Sequence, residues 1–206
     1  MVVSNPSICY KSYIMKEIIR QRIDELIPLL KDVDPDVRAA VACSIEHLEV
    51  TCDINEILQA LKTGDTGTRV AAIRALGMIG GEKAIAPLCY CAGRPEADIR
   101  AAAVEMLGRL AEPSTLPLLL ERLDDQLTAV QARAITALGN FPASASLYER
   151  LRPFLKVTDG DLEAEASLTL ARLGDSASTG DIISLLSSPH ASTRKAAATA
   201  LSLMPF

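Results

Sequence analysis

Apolar positions along this chain recur on two scales. Locally they follow the three-to-four-residue spacing of a helix: Ile99, Ala103, Leu107 and Leu110 share one face of Asp98–Leu110. Over longer distances the whole stretch returns. Arg38, Arg69, Arg100, Gln131, Glu163 and Arg194 occupy one equivalent position in six successive copies, separated by 31, 31, 31, 32 and 31 residues. Taking that position as 0, position +7 is Ile45, Leu76, Leu107, Leu138, Leu170 or Leu201. A fixed period of this length with an apolar anchor is the mark of a helical solenoid, whose units bury their apolar faces only against their neighbours.

Each copy reads as two antiparallel helices, A and then B. On helix A, position −8 holds Leu30, Leu61, Ala92, Leu123, Leu155 and Leu186, and position −12 holds Leu26, Ile57, Leu88, Leu119, Leu151 and Ile182. Four residues apart, these share one helical face. On helix B, positions −1, +3, +7 and +10 form the stripe expected to pack on helix A. Ala75, Ala137 and Ala200 at +6 permit close approach. Positions +1, +5 and +9 are expected to face away from helix A.

Polar turns with Gly and Pro punctuate the pattern, giving repeats at about 14–49, 53–80, 82–111, 114–141, 145–174 and 179–204. Asp36, Asp98, Asp161 and Ser192 stand where they would cap the B helices. Pro28 and Pro153 share position −10, inside helix A, so kinked A helices are expected in repeats one and five. Pro87 and Pro117 read as lying near helix starts, where proline costs less. Ile14, Ile18, Ile23, Leu26, Ile27 and Leu30 form the stripe of a longer first helix, suited to a capping repeat. Residues 1–12 lack a period and read as a disordered arm or part of the cap. No long linker interrupts residues 1–206, which read as one domain. The end, Leu201-Ser-Leu-Met-Pro-Phe206, is apolar and is expected either to cover the preceding repeat or to serve as a docking or dimer contact. The fold class is all-α, a right-handed α-solenoid of about six two-helix repeats.

Composition narrows the function. Trp is absent and aromatics make up 3%, so the core must be built from Ala, Leu, Ile and Val. The net charge of −5 argues against broad contact with a phosphate backbone, which needs surplus Lys and Arg, so nucleic acid is not an expected partner. The five cysteines, Cys9, Cys43, Cys52, Cys89 and Cys91, are odd in number and show no disulfide framework. They are expected to be small buried hydrophobes. With no signal-peptide pattern and no apolar run of membrane-spanning length, the chain reads as soluble and cytoplasmic.

The motif Asp-x-Val-Arg-x-Ala-Ala-x-x-Ala-Leu-Gly resembles HEAT repeats, and most of all the HEAT-like subtype first named for phycobilisome bilin lyases. The matches are Asp36-Val-Arg-Ala-Ala40, Arg69-Val-Ala-Ala-Ile-Arg-Ala-Leu-Gly77, Asp98-Ile-Arg-Ala-Ala102 and the Ala-Leu-Gly end of Gln131–Gly139. Repeats one, five and six depart from it, with Glu46, Ala171 and Ser202 in place of the glycine. The resemblance implies a stacked-helix fold. It also implies either a scaffold or a bilin lyase subunit, which would attach or remove a tetrapyrrole on an antenna protein with a second subunit.

Candidate chemistry is sparse. Position −4 holds Asp34, Asp65, Glu96, Leu127, Asp159 and His190. Acid and Arg occur together in repeats one to three and are lost together in repeat four, which points to a structural pairing of turn and helix B. Repeat five breaks this rule, with Asp159 and Glu163 both acidic. His47 and His190 lie five repeats apart, and Cys89 and Cys91 fall on different helix faces, so neither set suits a zinc site. No nucleophile elbow or phosphate loop is present. No residue is read as catalytic, cofactor-binding or metal-ligating. What remains is the B-helix face lining the concave side of a solenoid: Cys43, His47, Arg74, Met78, Glu105, Arg109, Thr136, Asn140, Leu168 and Arg172. The expected function is non-catalytic binding of another protein, with Arg side chains pairing its carboxylates.

Overall fold

Helices and short 3-10 turns account for the regular structure in a computed structural model that describes residues 18–204, with residues 47 and 49–53 described by backbone alone. The expected arm or cap at 1–12, and the side chain of His47, lie outside the described residues. By contact the chain divides into two units, Met1–Ala72 and Ile73–Phe206, with the division inside a helix.

In the first unit, helix α1 (residues 18–26) passes into a 3-10 turn, Ile27–Lys31, where Pro28 sits. Proline lacks the amide that would continue the α pattern, so the expected kink takes the form of a change of helix type. Helix α2 then runs unbroken from Pro35 to Thr63. The break expected between 49 and 53 is absent. Every other B-to-A junction carries Gly or Pro, but none stands between Pro35 and Gly64, so nothing ends the helix there. Helix B of repeat one and helix A of repeat two are thus one element. The buried apolar residues described in this unit are Ile19, Val41, Ile54 and Ala72.

Helix α3 (Thr66–Ile79) crosses into the second unit. There the A helices are α4 (Glu82–Ala92), α6 (Leu116–Arg122), α8 (Ala145–Leu151) and α10 (Thr179–Ser184). The B helices are α5 (Ala97–Leu110), α7 (Thr128–Leu138), α9 (Asp161–Leu173) and α11 (Ala191–Leu203). Helix α5 packs on α7, α7 on α9 and α9 on α11, while α4, α6, α8 and α10 each contact the B helix that follows. The A-helix anchors Leu88, Leu119, Leu151 and Ile182 are fully buried, as the spacing predicted. So are Val104, Ile135 and Ser167 at position +4, which lay off the predicted stripe. A B helix in a stack is covered by neighbouring B helices as well as by helix A, so it buries more than one stripe.

Position +8 sets how closely the B helices approach. A Cβ on Gly77 would overlap the Met106 side chain, and one on Gly108 would overlap Cβ and Cα of Ala137. One on Gly139 would lie 3.1 Å from the Thr169 methyl. The three partners all stand at +6 of the next repeat. The Ala-Leu-Gly end of the motif is therefore the contact between successive B helices. Past the B helices, Gly80 and Gly174 take positive φ, and Ala111 does so with φ 48° at the equivalent position +11.

Two local expectations are corrected. The B-helix N-caps fall two residues earlier in α2 and α5 and one earlier in α9: they are Asp34, Glu96 and Gly160, while α11 is capped by His190. Asp36, Asp98 and Asp161 instead lie in the first turn, where a negative charge favours the helix dipole. Asp34 Oδ1 accepts the Asp36 amide at 2.8 Å, and Asp65 accepts that of Thr68 at 2.8 Å. Pro87 is interior to α4, whereas Pro117 does occupy the start of α6. Pro153, like Pro28, begins a 3-10 turn, Arg152–Lys156.

If the glycine contact sets the spacing, Gly108→Val will force α5 and α7 apart. Overpacking of this kind should cost on the order of 3 kcal/mol in urea unfolding monitored by circular dichroism.

Candidate partner-binding site

The reference position builds the frame beneath the candidate face. Arg38 Nη1 donates to the carbonyls of Asp32 and Val33 at 2.7 and 3.1 Å. Arg100 Nη1 donates to those of Arg94 and Pro95 at 2.9 and 2.7 Å, and Arg194 Nη1 to those of Ser188 and Pro189 at 2.7 and 3.0 Å. Gln131 Nε2 reaches the equivalent carbonyl of Asp125 at 2.9 Å. The side chain thus folds back onto the A-to-B turn and satisfies carbonyls that close it. The predicted tie between turn and helix B exists, but in these repeats it runs to the backbone. The acid at −4 is an N-cap in α2.

Arg100 also joins repeats. Its Nε and Nη2 pair with the two carboxylate oxygens of Asp125, in the next turn, at 2.8 Å each. Asp125 Oδ1 accepts the Leu127 amide at 3.1 Å, and Arg122 stands 3.9 Å away. A second bidentate pair, Arg152 with Asp175 at 2.8 and 2.6 Å, ties the opposite turns and is supported by the Ser178 hydroxyl. The Tyr148 ring lies 5.7 Å from that guanidinium, and its hydroxyl donates to the Leu173 carbonyl at 2.8 Å. Nothing periodic marks Arg152 and Asp175, so the repeat pattern in the sequence does not reveal them. Glu163, the acidic departure, is buried: Thr193 Oγ1 donates to the Gly160 carbonyl at 2.9 Å and stands 3.2 Å from Glu163 Oε2.

Seen from this frame, the predicted face of residues 73–206 separates into two rows. Glu105, Thr136 and Leu168, at +5, are half-buried. Glu105 lies 4.0 Å from Arg133, and Thr136 Oγ1 lies 2.8 Å from Glu165 Oε2, so these polar groups brace one B helix to the next. Arg74, at the end of the same row, is exposed. The +9 row is open: Met78, Arg109, Asn140 and Arg172 are exposed, Met78 to 75%. Asn140 Nδ2 donates to the Gly108 carbonyl at 2.9 Å, and Arg172 Nη2 to Thr169 Oγ1 at 3.2 Å. Arg74 and Arg109 have no partner within the described chain. Leu203, which sequence reasoning left out, continues the row at its far end, exposed.

Cys43 lies on α2, in the first unit. It is exposed, contrary to the expectation of a buried hydrophobe, and with Arg22, Leu26, Ser44 and Leu48 it borders an open pocket of about 550 Å³. Cys91 is buried and Cys89 half-buried, its thiol pushed up by desolvation. In the second unit Gly81, Glu82, Ile85, Leu110 and Glu112 border an open pocket of about 610 Å³ at the B-to-A turns. No helix of the described residues is long and apolar enough to cross a membrane.

The inter-repeat pairs carry a pH signature. The Arg100 hydrogen bonds hold the Asp125 carboxyl below its ordinary value of 3.8, and the Arg152 hydrogen bonds do the same for Asp175. A lowered folded-state value means stability that is complete above the unfolded value and lost as pH falls through the folded one. Asp125→Asn should therefore be less stable at neutral pH. It should lose less further stability than the parent chain when Tm is followed from about pH 5 to about pH 2.

The comparisons with known proteins agree with this geometry. The profile of HEAT repeats matches residues 23–99 and 87–166. None of the curated proteins matches in sequence. Among solved structures, the complex of CpcE and CpcF of phycocyanin lyase from Nostoc sp. PCC7120 aligns at 18% identity with a TM-score of 0.61, covering 73% of this chain and 99% of that one. YibA from Escherichia coli aligns at 20% identity and 0.60, covering 91% and 74%. A designed armadillo repeat protein in complex with the peptide (KR)4 aligns at 16% and 0.54, covering 88% and 98%. At these identities the likeness is one of fold: helical repeats stacked as an α-solenoid. With the repeat profile matched across most of its length, the chain belongs to the HEAT-repeat family.

Proposed function

We propose that this chain is a non-catalytic protein-binding scaffold and that its partner lies along the B-helix face. The observation that carries this reading is the open +9 row. Met78, Arg109 and Arg172 project from the B helices α3, α5 and α9, Asn140 stands in the turn just past α7, glycine contacts set the approach of these helices, and Arg74 lies one turn earlier on α3. A side chain presented from a rigid helix loses little order on binding, and Arg is well suited to bidentate pairing with carboxylates. Glu105 and Thr136 at +5 already brace the stack, and Asn140 at +9 already holds the Gly108 carbonyl, so within the face Met78, Arg109, Arg172 and Arg74 are left to supply the contacts. Fold analogy is consistent: the designed armadillo protein carries a peptide, although (KR)4 is basic and the row here suits an acidic segment.

A second reading has one specific observation in its favour. The alignment to the phycocyanin lyase complex covers 99% of that chain, so a lyase subunit of this size and architecture is compatible. Under this reading the purified protein, with its companion subunit, should bind a linear tetrapyrrole and shift its absorption to the red. An unchanged spectrum would exclude it.

The scaffold reading makes its own demand. Arg74→Glu with Arg109→Glu should abolish capture of the partner that co-purifies from host lysate, while the far-ultraviolet circular dichroism stays that of the parent. Undiminished capture would move the site off this face.

A further inference from the structure

Outward positions on the B helices carry charge of one predominant sign. At +1, +2, +5 and +9 from α3 to α11 the cations are Arg74, Arg109, Arg133, Arg172 and Lys195, and the acids are Glu105 and Glu165 alone. A chain of net charge −5 thus presents an excess of positive charge here. Both acids are already engaged: Glu105 lies 4.0 Å from Arg133, and Glu165 Oε2 lies 2.8 Å from the Thr136 hydroxyl. Arg74, Arg109, Arg172 and Lys195, all exposed, stand without a carboxylate partner among the described residues. Glu82 and Glu112, past the ends of α3 and α5, border the pocket beside Ile85 of α4. The +9 residues are also linked in space from helix to helix. Asn140 Nδ2 donates at 2.9 Å to the carbonyl of Gly108, the neighbour of Arg109. Arg172 Nη2 lies 3.2 Å from where a Cβ would stand on Gly139, the neighbour of Asn140. Arg109, Asn140 and Arg172 therefore form one continuous strip across α5, α7 and α9.

The sign and spacing of the strip say what fits it. Two cations flank a neutral centre across two helix junctions. Packed helices lie about 8–10 Å apart, so equivalent positions on α5 and α9 are about 16–20 Å apart. An extended chain covers that distance in about five or six residues. An amphipathic helix would need an apolar stripe to dock on. Between the two arginines the strip offers Asn140 and the half-buried Thr136, while the exposed Met78 and Leu203 stand beyond its ends. A nucleic acid is the poorer polyanion, because no aromatic side chain stands at these positions to stack on a base and the chain as a whole is acidic. Carboxylates suit the guanidinium fork. We infer that the B-helix face takes an extended acidic segment of a partner protein, in which two Asp or Glu positions about five residues apart are read by Arg109 and Arg172. This rests on the B-helix reading above and adds to it the chemistry of the occupant.

Fluorescence anisotropy of the full chain at about 20 mM salt, where surface charge is little screened, tests it. The labelled peptide Glu-Glu-Gly-Ser-Ser-Gly-Glu-Glu should bind saturably. Arg109→Gln with Arg172→Gln should weaken it at least about 10-fold, with helicity unchanged by circular dichroism. Arg150→Gln with Lys156→Gln removes the same charge from two exposed side chains away from this face and should leave binding as in the parent. Gathering the acids at one end, as Glu-Glu-Glu-Glu-Gly-Ser-Ser-Gly, should weaken binding at least about 3-fold, since one arginine is reached rather than both. Equal affinity for the two peptides, an equal loss in the Arg150 and Lys156 variant, or tighter binding of decathymidine overturns the inference. Absence of peptide binding overturns it too, and partner capture then decides the wider reading. Capture lost on Arg74→Glu with Arg109→Glu keeps the face and removes the acidic occupant, whereas undiminished capture removes both.

Discussion

The architecture of the second unit depends on the absence of one carbon atom. Gly77, Gly108 and Gly139 at position +8 let each B helix approach the +6 residue of the next, and two of the three approaches leave no space for a Cβ. Val104 and Ile135 at +4 on these closely packed helices are fully buried. Where the glycine is missing, the sequence compensates locally. Ala171 stands at +8 in repeat five, and the next repeat offers the small Ala200 at +6. The same two positions, +8 and +6, meet in each of these junctions, so the +9 residues take equivalent places in successive repeats.

Polar contacts lock the register that the glycines permit. The reference Arg closes its own turn through two carbonyls, and in repeat three it also grips the next turn through Asp125. Arg152 and Asp175 perform the second task at the other end of the helices. Both carboxylates are only a few percent exposed; the Arg100–Asp125 pair is shielded on both sides, whereas Arg152 keeps 37% of its side chain in solvent, and the bidentate geometry of each pair defines one arrangement. The polar residues at +5 continue the bracing on the outer surface. The face therefore has a structural row and an open row side by side, although one helical periodicity generates both.

The sequence made the repeat, its A and B helices and most of its anchors legible, because a solenoid repeats the same burial problem and solves it with the same residues. Leu88, Leu119, Leu151 and Ile182 were readable for that reason. What escaped detection was whatever occurs once. Helix α2 runs on because no Gly or Pro interrupts it, and only the period points to a junction there. Glu163 looked like a broken pairing rule because its partner, Thr193, belongs to the next repeat. Arg152 and Asp175 follow no period. The candidate face was legible as positions, yet the sequence alone did not separate residues that brace the stack from residues that remain open. That distinction depends on cross-helix distances such as those joining Thr136 to Glu165 and Glu105 to Arg133.

Presentation of the +9 row to a partner is the proposal on which the functional reading stands. Hydroxyl-radical footprinting of the co-purified complex against the free chain tests it most directly, because two reactive exposed side chains sit on different helix sets: Met78 on the B helix α3 and Tyr90 on the A helix α4. Met78 should be protected in the complex while Tyr90 is oxidised as in the free chain. Protection of Tyr90 with Met78 unchanged would contradict it.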